Sequence, residues 1–127
     1  MKKILVCGGS GFIGLNIVKY FANKNYKIFA TYKTKKPKNT RRVKWFKSDF
    51  NSVKNIKKII KKSDILIQCA AVTAGSKNMV TNPFLFVGDN VVMNSLLIKE
   101  AVKNEVKHFI FLSCSVMYHH PKKNLKE

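Results

Sequence analysis

Four glycines fall within seven residues near the start of the chain, in Gly8-Gly9-Ser10-Gly11-Phe12-Ile13-Gly14. Glycine does no chemistry of its own; what it offers is bare backbone. Such a loop brings peptide N–H groups and a helix N-terminus close to an anion, and phosphate is the anion that this arrangement suits. A plain tight turn uses glycine as well, so context has to decide. A second group lies near the other end, where Ser113, Cys114 and Ser115 set two hydroxyls and a thiol in a row. A hydroxyl can donate a hydrogen bond to a reacting oxygen; a thiol does so poorly.

The elements that position these residues follow from hydrophobic periodicity. Short apolar or alternating runs predict strands over 2–7, 27–32, 43–48, 65–70 and 108–113. Helical spacing predicts helices over 12–24, 52–62 and 83 to about 104. Ile13, Ile17, Val18, Phe21 and Ala22 share one face of the first helix; Val53, Ile56, Ile59 and Ile60 face inward from the second. Strands alternating with helices, the strands mostly apolar, imply a parallel sheet covered on both faces. Right-handed crossovers then favour strand order 3-2-1-4-5. The fold class is therefore α/β, a Rossmann-type doubly wound parallel sheet. No internal repeat or composition break divides it, so one domain is expected over 1–127. The polar YHHPKKNLKE segment lacks a closing helix, and the architecture reads as incomplete at the C-terminus.

In such a sheet the first strand-to-helix turn is where a dinucleotide pyrophosphate binds. Gly9-x-Gly11-x-x-Gly14 fits the general fingerprint, and Gly8-x-x-Gly11-x-x-Gly14 fits a variant of it. One glycine permits the turn, another admits phosphate, and Gly14 allows close packing. The loop follows a strand and opens a helix, so dinucleotide binding is preferred to a plain turn. The end of the second strand reads the adenosine ribose, an acid there holding the 2′-hydroxyl and a base admitting a 2′-phosphate. Residues 27–42 contain no acid, while Lys33, Lys35, Lys36, Arg41 and Arg42 are basic. NADP is favoured over NAD.

Several segments, in order, resemble the extended short-chain dehydrogenase/reductase family, specifically its nucleotide-sugar epimerases, dehydratases and fucose-synthase-like reductases. Gly8 to Gly14 resembles the family's glycine loop. Asp49-Phe50 resembles its adenine-contacting pair, Cys69-Ala70-Ala71 its small-residue turn after strand four, and Asp89-Asn90-Val91 its helical Asn-Val. Residues 109–118, FIFLSCSVMY, resemble its fifth strand and serine-rich stretch. The resemblance implies that Gly8, Ser10, Gly11, Phe12, Ile13 and Gly14 hold pyrophosphate, with Lys33 at the 2′-phosphate. It places Asp49 and Phe50 at adenine, and Ala70, Ala71 and Asn90 on the nicotinamide side. Ser113, Cys114 or Ser115 would face a nucleotide-sugar substrate as catalytic residues. Taken singly, Asp49 also reads as a helix N-cap, and Asn90 as an amide satisfying backbone.

Two departures stand out. The family's Ser or Thr that bonds the reacting oxygen falls on Cys114. Three readings stay open: a flanking serine acts, the thiol is tolerated, or catalysis is altered. Val116 stands where fucose-synthase-like enzymes carry a catalytic cysteine, which argues against C3/C5 epimerisation by that route. The family's Tyr-x-x-x-Lys pair has no match, since Pro121 disfavours the helix that would align Tyr118 with Lys122. The chain resembles less than half of the family's length, without its substrate domain. Cofactor binding without turnover is the expectation for these 127 residues, with a non-catalytic dinucleotide-binding sensor or subunit as the alternative.

Composition bounds the rest. The chain is 46% hydrophobic and 24% charged, an ordinary globular balance, with a formal net charge of +19. Of its 25 basic residues only Arg41 and Arg42 are arginine. Base reading and bidentate phosphate contacts favour arginine, so the lysine excess reads as solvated faces rather than a nucleic-acid site. No apolar stretch is long enough to span a bilayer, and a cytoplasmic protein is expected; a homo-oligomer is left open. Cys7, Cys69 and Cys114 lack metal or disulfide spacing, so no metal is expected. They fall at or just past the ends of strands one, four and five, which would bring their thiols near one another as small buried hydrophobes.

Overall fold

The computed structural model describes residues 1–38, 40–61, 63–73, 75, 78, 81, 82 and 84–113. The elements run β1 (Lys3–Cys7), α1 (Phe12–Ala22), β2 (Lys27–Tyr32), β3 (Val43–Lys47), α2 (Val53–Ile60), β4 (Ile65–Gln68), α3 (Phe84–Lys103) and β5 (His108–Phe111). The strands form one five-stranded sheet in the order β3-β2-β1-β4-β5. Every pairing is parallel: Ile4 sits beside Ile28 and Ile65, Ile28 beside Val43, and Ile65 beside His108. This is the doubly wound arrangement that the apolar strand runs predict.

The two-residue period of a strand divides the core into two layers. Ile4, Val6, Ile28, Ala30 and Ile67 point to the α1 side, where Val18 buries itself among them. Leu5, Cys7, Phe29 and Leu66 point the other way, against Ile56, Ile59 and Ile60 of α2 and Met93, Leu97 and Ala101 of α3. The innermost of these side chains, such as Leu5 and Leu66, are wholly excluded from solvent. Each contributes about 1.5–3 kcal/mol relative to an exposed position.

Three expectations need correction. Ile13 is 55% exposed, because the first turn of α1 begins beyond the strand ends and has no sheet beneath it. Val53 is also exposed, at the first position of α2. β5 is not covered on both faces by the described residues: Phe109 packs into the α2–α3 layer, while Ile110 and Phe111 stay exposed at the sheet edge. The side chains of Cys7 and Cys69 pack in opposite layers of the sheet, although the two thiols stay close enough for Cys69 to raise the Cys7 pKa. Among the described residues no group of acidic, histidine or cysteine side chains is placed to hold a metal ion. No described helix is long and apolar enough to cross a membrane.

Asp64 ties three strands together at the opposite end from the glycines. Its N–H donates to the Lys3 carbonyl (2.9 Å), and its Oδ2 accepts the Lys3 N–H (2.8 Å). Its carbonyl accepts from Lys107 (2.9 Å) and His108 (3.3 Å). The bond from Lys3 holds the carboxyl below its ordinary pKa, with the charges of Lys107, Lys3 and Lys2 acting in the same sense. A pKa depressed by folding gives stability that is present above the unfolded value and lost as pH falls through the folded one. Thermal melts should therefore separate the parent chain from Asp64→Asn at about pH 6, the variant melting lower, and converge by about pH 2. A gap that persists in acid would show that the carboxylate charge is not responsible.

Candidate functional site

The C-terminal ends of the central strands open into a cavity of about 220 Å³. Gly8, Ser10 and Gly11 line it from the first loop, and Thr31, Tyr32 and Lys33 from the end of β2. Residues 48–51 after β3, residues 69–72 after β4, and Met93 of α3 complete the wall. A crevice at the carboxyl ends of parallel strands, where the chain winds outward in both directions from β1, is where this architecture places ligands.

Eight of the residues expected at a dinucleotide meet on this one cavity: Gly8, Ser10, Gly11, Lys33, Asp49, Phe50, Ala70 and Ala71. Phe12, Ile13 and Gly14 do not line it; they form the first turn of α1 just above. Ser113 lies exposed immediately after β5. Cys114, Ser115, Tyr118 and Lys122 lie outside the described residues.

The glycines have separate reasons to be glycine. Gly8 has φ +73°, a left-handed conformation, and a Cβ there would sit 2.6 Å from the Ala70 backbone nitrogen. A Cβ at Gly14 would run into the Gly8 carbonyl. Those two are demanded by the protein. Gly11 is not: its φ of −74° and ψ of 169° suit any residue. A Cβ there would meet the Gly8 oxygen at 3.4 Å, an ordinary contact. Gly11 lines the cavity and is itself exposed, so its protein neighbours leave room for a side chain there.

Gly11 is also the N-cap of α1, with no capping side-chain bond and no acid in the first turn. The first helical bond runs from Leu15 N–H to the Gly11 carbonyl (2.8 Å). The N–H groups of Phe12, Ile13 and Gly14 precede it and have no hydrogen-bond partner among the described residues, as at any uncapped helix start. Together with the helix dipole they make the loop a place of positive potential.

Three side chains hold the cavity walls by bonding backbone. The Thr31 hydroxyl accepts the Gly8 N–H (2.9 Å), pinning the glycine loop to the end of β2. Gln68, buried at the end of β4, donates to the Ala70 carbonyl (3.0 Å) and to Asn94 Oδ1 of α3 (2.8 Å), and its Oε1 accepts the Ala70 N–H (3.3 Å). Asn90 accepts from the Val72 N–H (2.9 Å) and donates to the carbonyls of Val72 (2.9 Å) and Phe86 (2.7 Å). Asn90 is therefore placed behind the wall rather than on it, with its amide engaged by backbone. Sequence reasoning missed Thr31 and Gln68. The signal was a polar residue inside each apolar strand run, at the carboxyl end.

Cys69 touches the cavity, and burial pushes its thiol pKa up to about 11. Cys7 below it is raised further, by burial first and by Cys69 second. At neutral pH both are protonated apolar fillers rather than nucleophiles.

Comparison with known proteins adds a family. Residues 4–127 match the NAD dependent epimerase/dehydratase family. The chain belongs to that family. It is 25% identical over 119 residues to GDP-L-fucose synthase of Azorhizobium caulinodans, covering 92% of this chain and 34% of that protein. It is 31% identical over 123 residues to an uncharacterized membrane protein of Methanocaldococcus jannaschii, covering 88% and 36%. Among solved structures it is similar to UDP-glucose 4-epimerase from Bifidobacterium longum in complex with NAD+ and UDP. That similarity has a TM-score of 0.82 at 25% identity and covers 96% of this chain and 40% of the other. The chain spans about a third of the length of the curated relatives it matches.

Proposed function

We propose that this chain is the N-terminal, cofactor-binding portion of a nucleotide-sugar epimerase, dehydratase or reductase, and that it binds NADP in preference to NAD. Gly11 carries the reading: neither its dihedrals nor its protein neighbours call for glycine, and it borders the cavity beside three leftover N–H groups. A pyrophosphate is the ligand that uses bare backbone, free donors and a positive dipole at once.

The Gly8–Gly14 loop holds the pyrophosphate through backbone N–H groups, and Ser10 adds a hydroxyl. Lys33, on the cavity wall just past β2, neutralises the 2′-phosphate, and residues 27–42 contain no acid to take a free 2′-hydroxyl. Asp49 and Phe50 form the adenine end. Ala70 and Ala71 give a flat, side-chain-poor wall on the nicotinamide side, and Asn90 holds that wall in place through Val72. When bound, the cofactor supplies hydride exchange with a sugar carbon. Ser113, with Cys114 and Ser115 beyond the described residues, is the group facing that carbon's oxygen.

The test is a calorimetric titration with NADPH and NADH, run at about 0.3 M salt so that the lysine surface does not bind anions unspecifically. NADPH should bind about 10- to 100-fold more tightly, the range for charge-assisted bonds to one phosphate. Lys33→Ala should remove that difference while leaving NADH unchanged. Equal affinities in the parent chain would end the NADP assignment.

A further inference from the structure

We propose that Ser48 is a ligand-contacting residue that reads the purine base of the bound dinucleotide, an inference that rests on the dinucleotide reading above. Ser48 follows β3, and its N–H donates to the Tyr32 carbonyl (3.0 Å), so its backbone continues the β2–β3 pairing. Its side chain is 5% exposed, and its Oγ is the buried side-chain polar atom without a hydrogen-bond partner among the described residues. Strand alternation puts Ser48 on the side of Phe46 and Phe50, both of which pack in the α2–α3 layer. A hydroxyl unpaired in such surroundings weighs against the fold, and alanine would fill the space without that burden.

Ser48 also lines the cavity, beside Tyr32, Asp49 and Phe50. Rotation about χ1, its one heavy-atom torsion, is the motion that turns the hydroxyl toward the ligand. The neighbourhood selects the ligand group. Phosphates are matched by the N–H groups of the glycine loop and by Lys33. On the side of the sheet that Ser48 faces, the cavity is walled by Phe50 and Met93, apolar surfaces suited to a flat ring. One Asp49 oxygen already accepts the Asn51 N–H (3.1 Å). A purine edge presents both amino donors and ring-nitrogen acceptors, and a hydroxyl serves as either partner.

Calorimetric titration of the 127-residue chain, parent and Ser48→Ala, with NADPH and with NADH decides it. The variant should bind both about 3- to 10-fold more weakly, by the same factor, as expected for one neutral hydrogen bond. Its unliganded melting temperature should stay level or rise, because an unpaired hydroxyl is gone. Unchanged affinities overturn the proposal. A loss confined to NADPH also overturns it, since the hydroxyl then serves the 2′-phosphate. A lowered unliganded melting temperature does the same, by assigning Ser48 a structural role. If the parent chain binds neither nucleotide, the dinucleotide reading itself fails and this inference falls with it.

Discussion

A Gly8→Ala chain is expected to lose about 3–5 kcal/mol of folding stability, combining a left-handed backbone with a steric overlap. The residue sits at φ +73°, where an L side chain is strained in any surroundings. The added Cβ would also lie 2.6 Å from the nitrogen and 2.7 Å from the Cα of Ala70. These are backbone atoms, and they cannot swing aside. β1 and β4 pair through Cys7 and Gln68, and the Cys69 N–H donates to the Cys7 carbonyl at 3.0 Å. Separating Gly8 from Ala70 therefore means opening the centre of the sheet. Against a total stability of about 5–15 kcal/mol, a loss of this size takes much of the margin. Urea unfolding measures it: the midpoint should fall sharply with the slope unchanged. A midpoint equal to the parent's would show that β1 and β4 part at that point without cost.

Gly11→Ala should do the reverse. Stability should stay within about 0.5 kcal/mol of the parent, because neither dihedrals nor neighbours object to a methyl group. NADPH affinity should drop about 10- to 100-fold, the effect of overfilling a packed contact by one carbon. A melting curve and a binding isotherm on the same sample provide both halves. The contrast between the two variants separates a turn from a cradle, since a plain turn gives Gly11→Ala no phenotype in either assay. Undiminished NADPH binding by the Gly11 variant would remove the main support for the functional reading.

The architecture was legible in the sequence because its signals are local and redundant. Buried strands such as Ile4-Leu5-Val6 and Ile65-Leu66-Ile67 are apolar on both faces. Each is followed by a turn and then a helix, and little else satisfies that pattern. Most of the cavity was legible too, because the ends of parallel strands fall at predictable points in the chain. Side-chain contacts with backbone far along the chain were not. Asn90 is 18 residues from Val72, and Thr31 is 23 from Gly8, so neither bond has a sequence pattern to announce it. Ile13 misled for a related reason. Its helical phase points inward, but whether sheet lies beneath the first turn depends on where β1 stops relative to α1. Ser48 carried no signal at all, since an isolated serine after a strand looks like any loop residue until its burial is known.

Gly8, Gly14 and Ala70 meet as bare backbone, with no side chain among them that could repack. That end of the cleft is rigid before anything arrives, so capture there freezes few degrees of freedom and little conformational entropy is lost. Rigidity of this kind also makes the loop indiscriminate, because every ligand with the same diphosphate finds the same surface. On the proposed reading, discrimination among such ligands comes from the far end, where the long torsions of Lys33 and the single torsion of Ser48 can still answer one nucleoside differently from another. On that reading, a change at the glycine end should weaken every diphosphate ligand alike, whereas a change at the far end should weaken only those ligands that carry the group it meets.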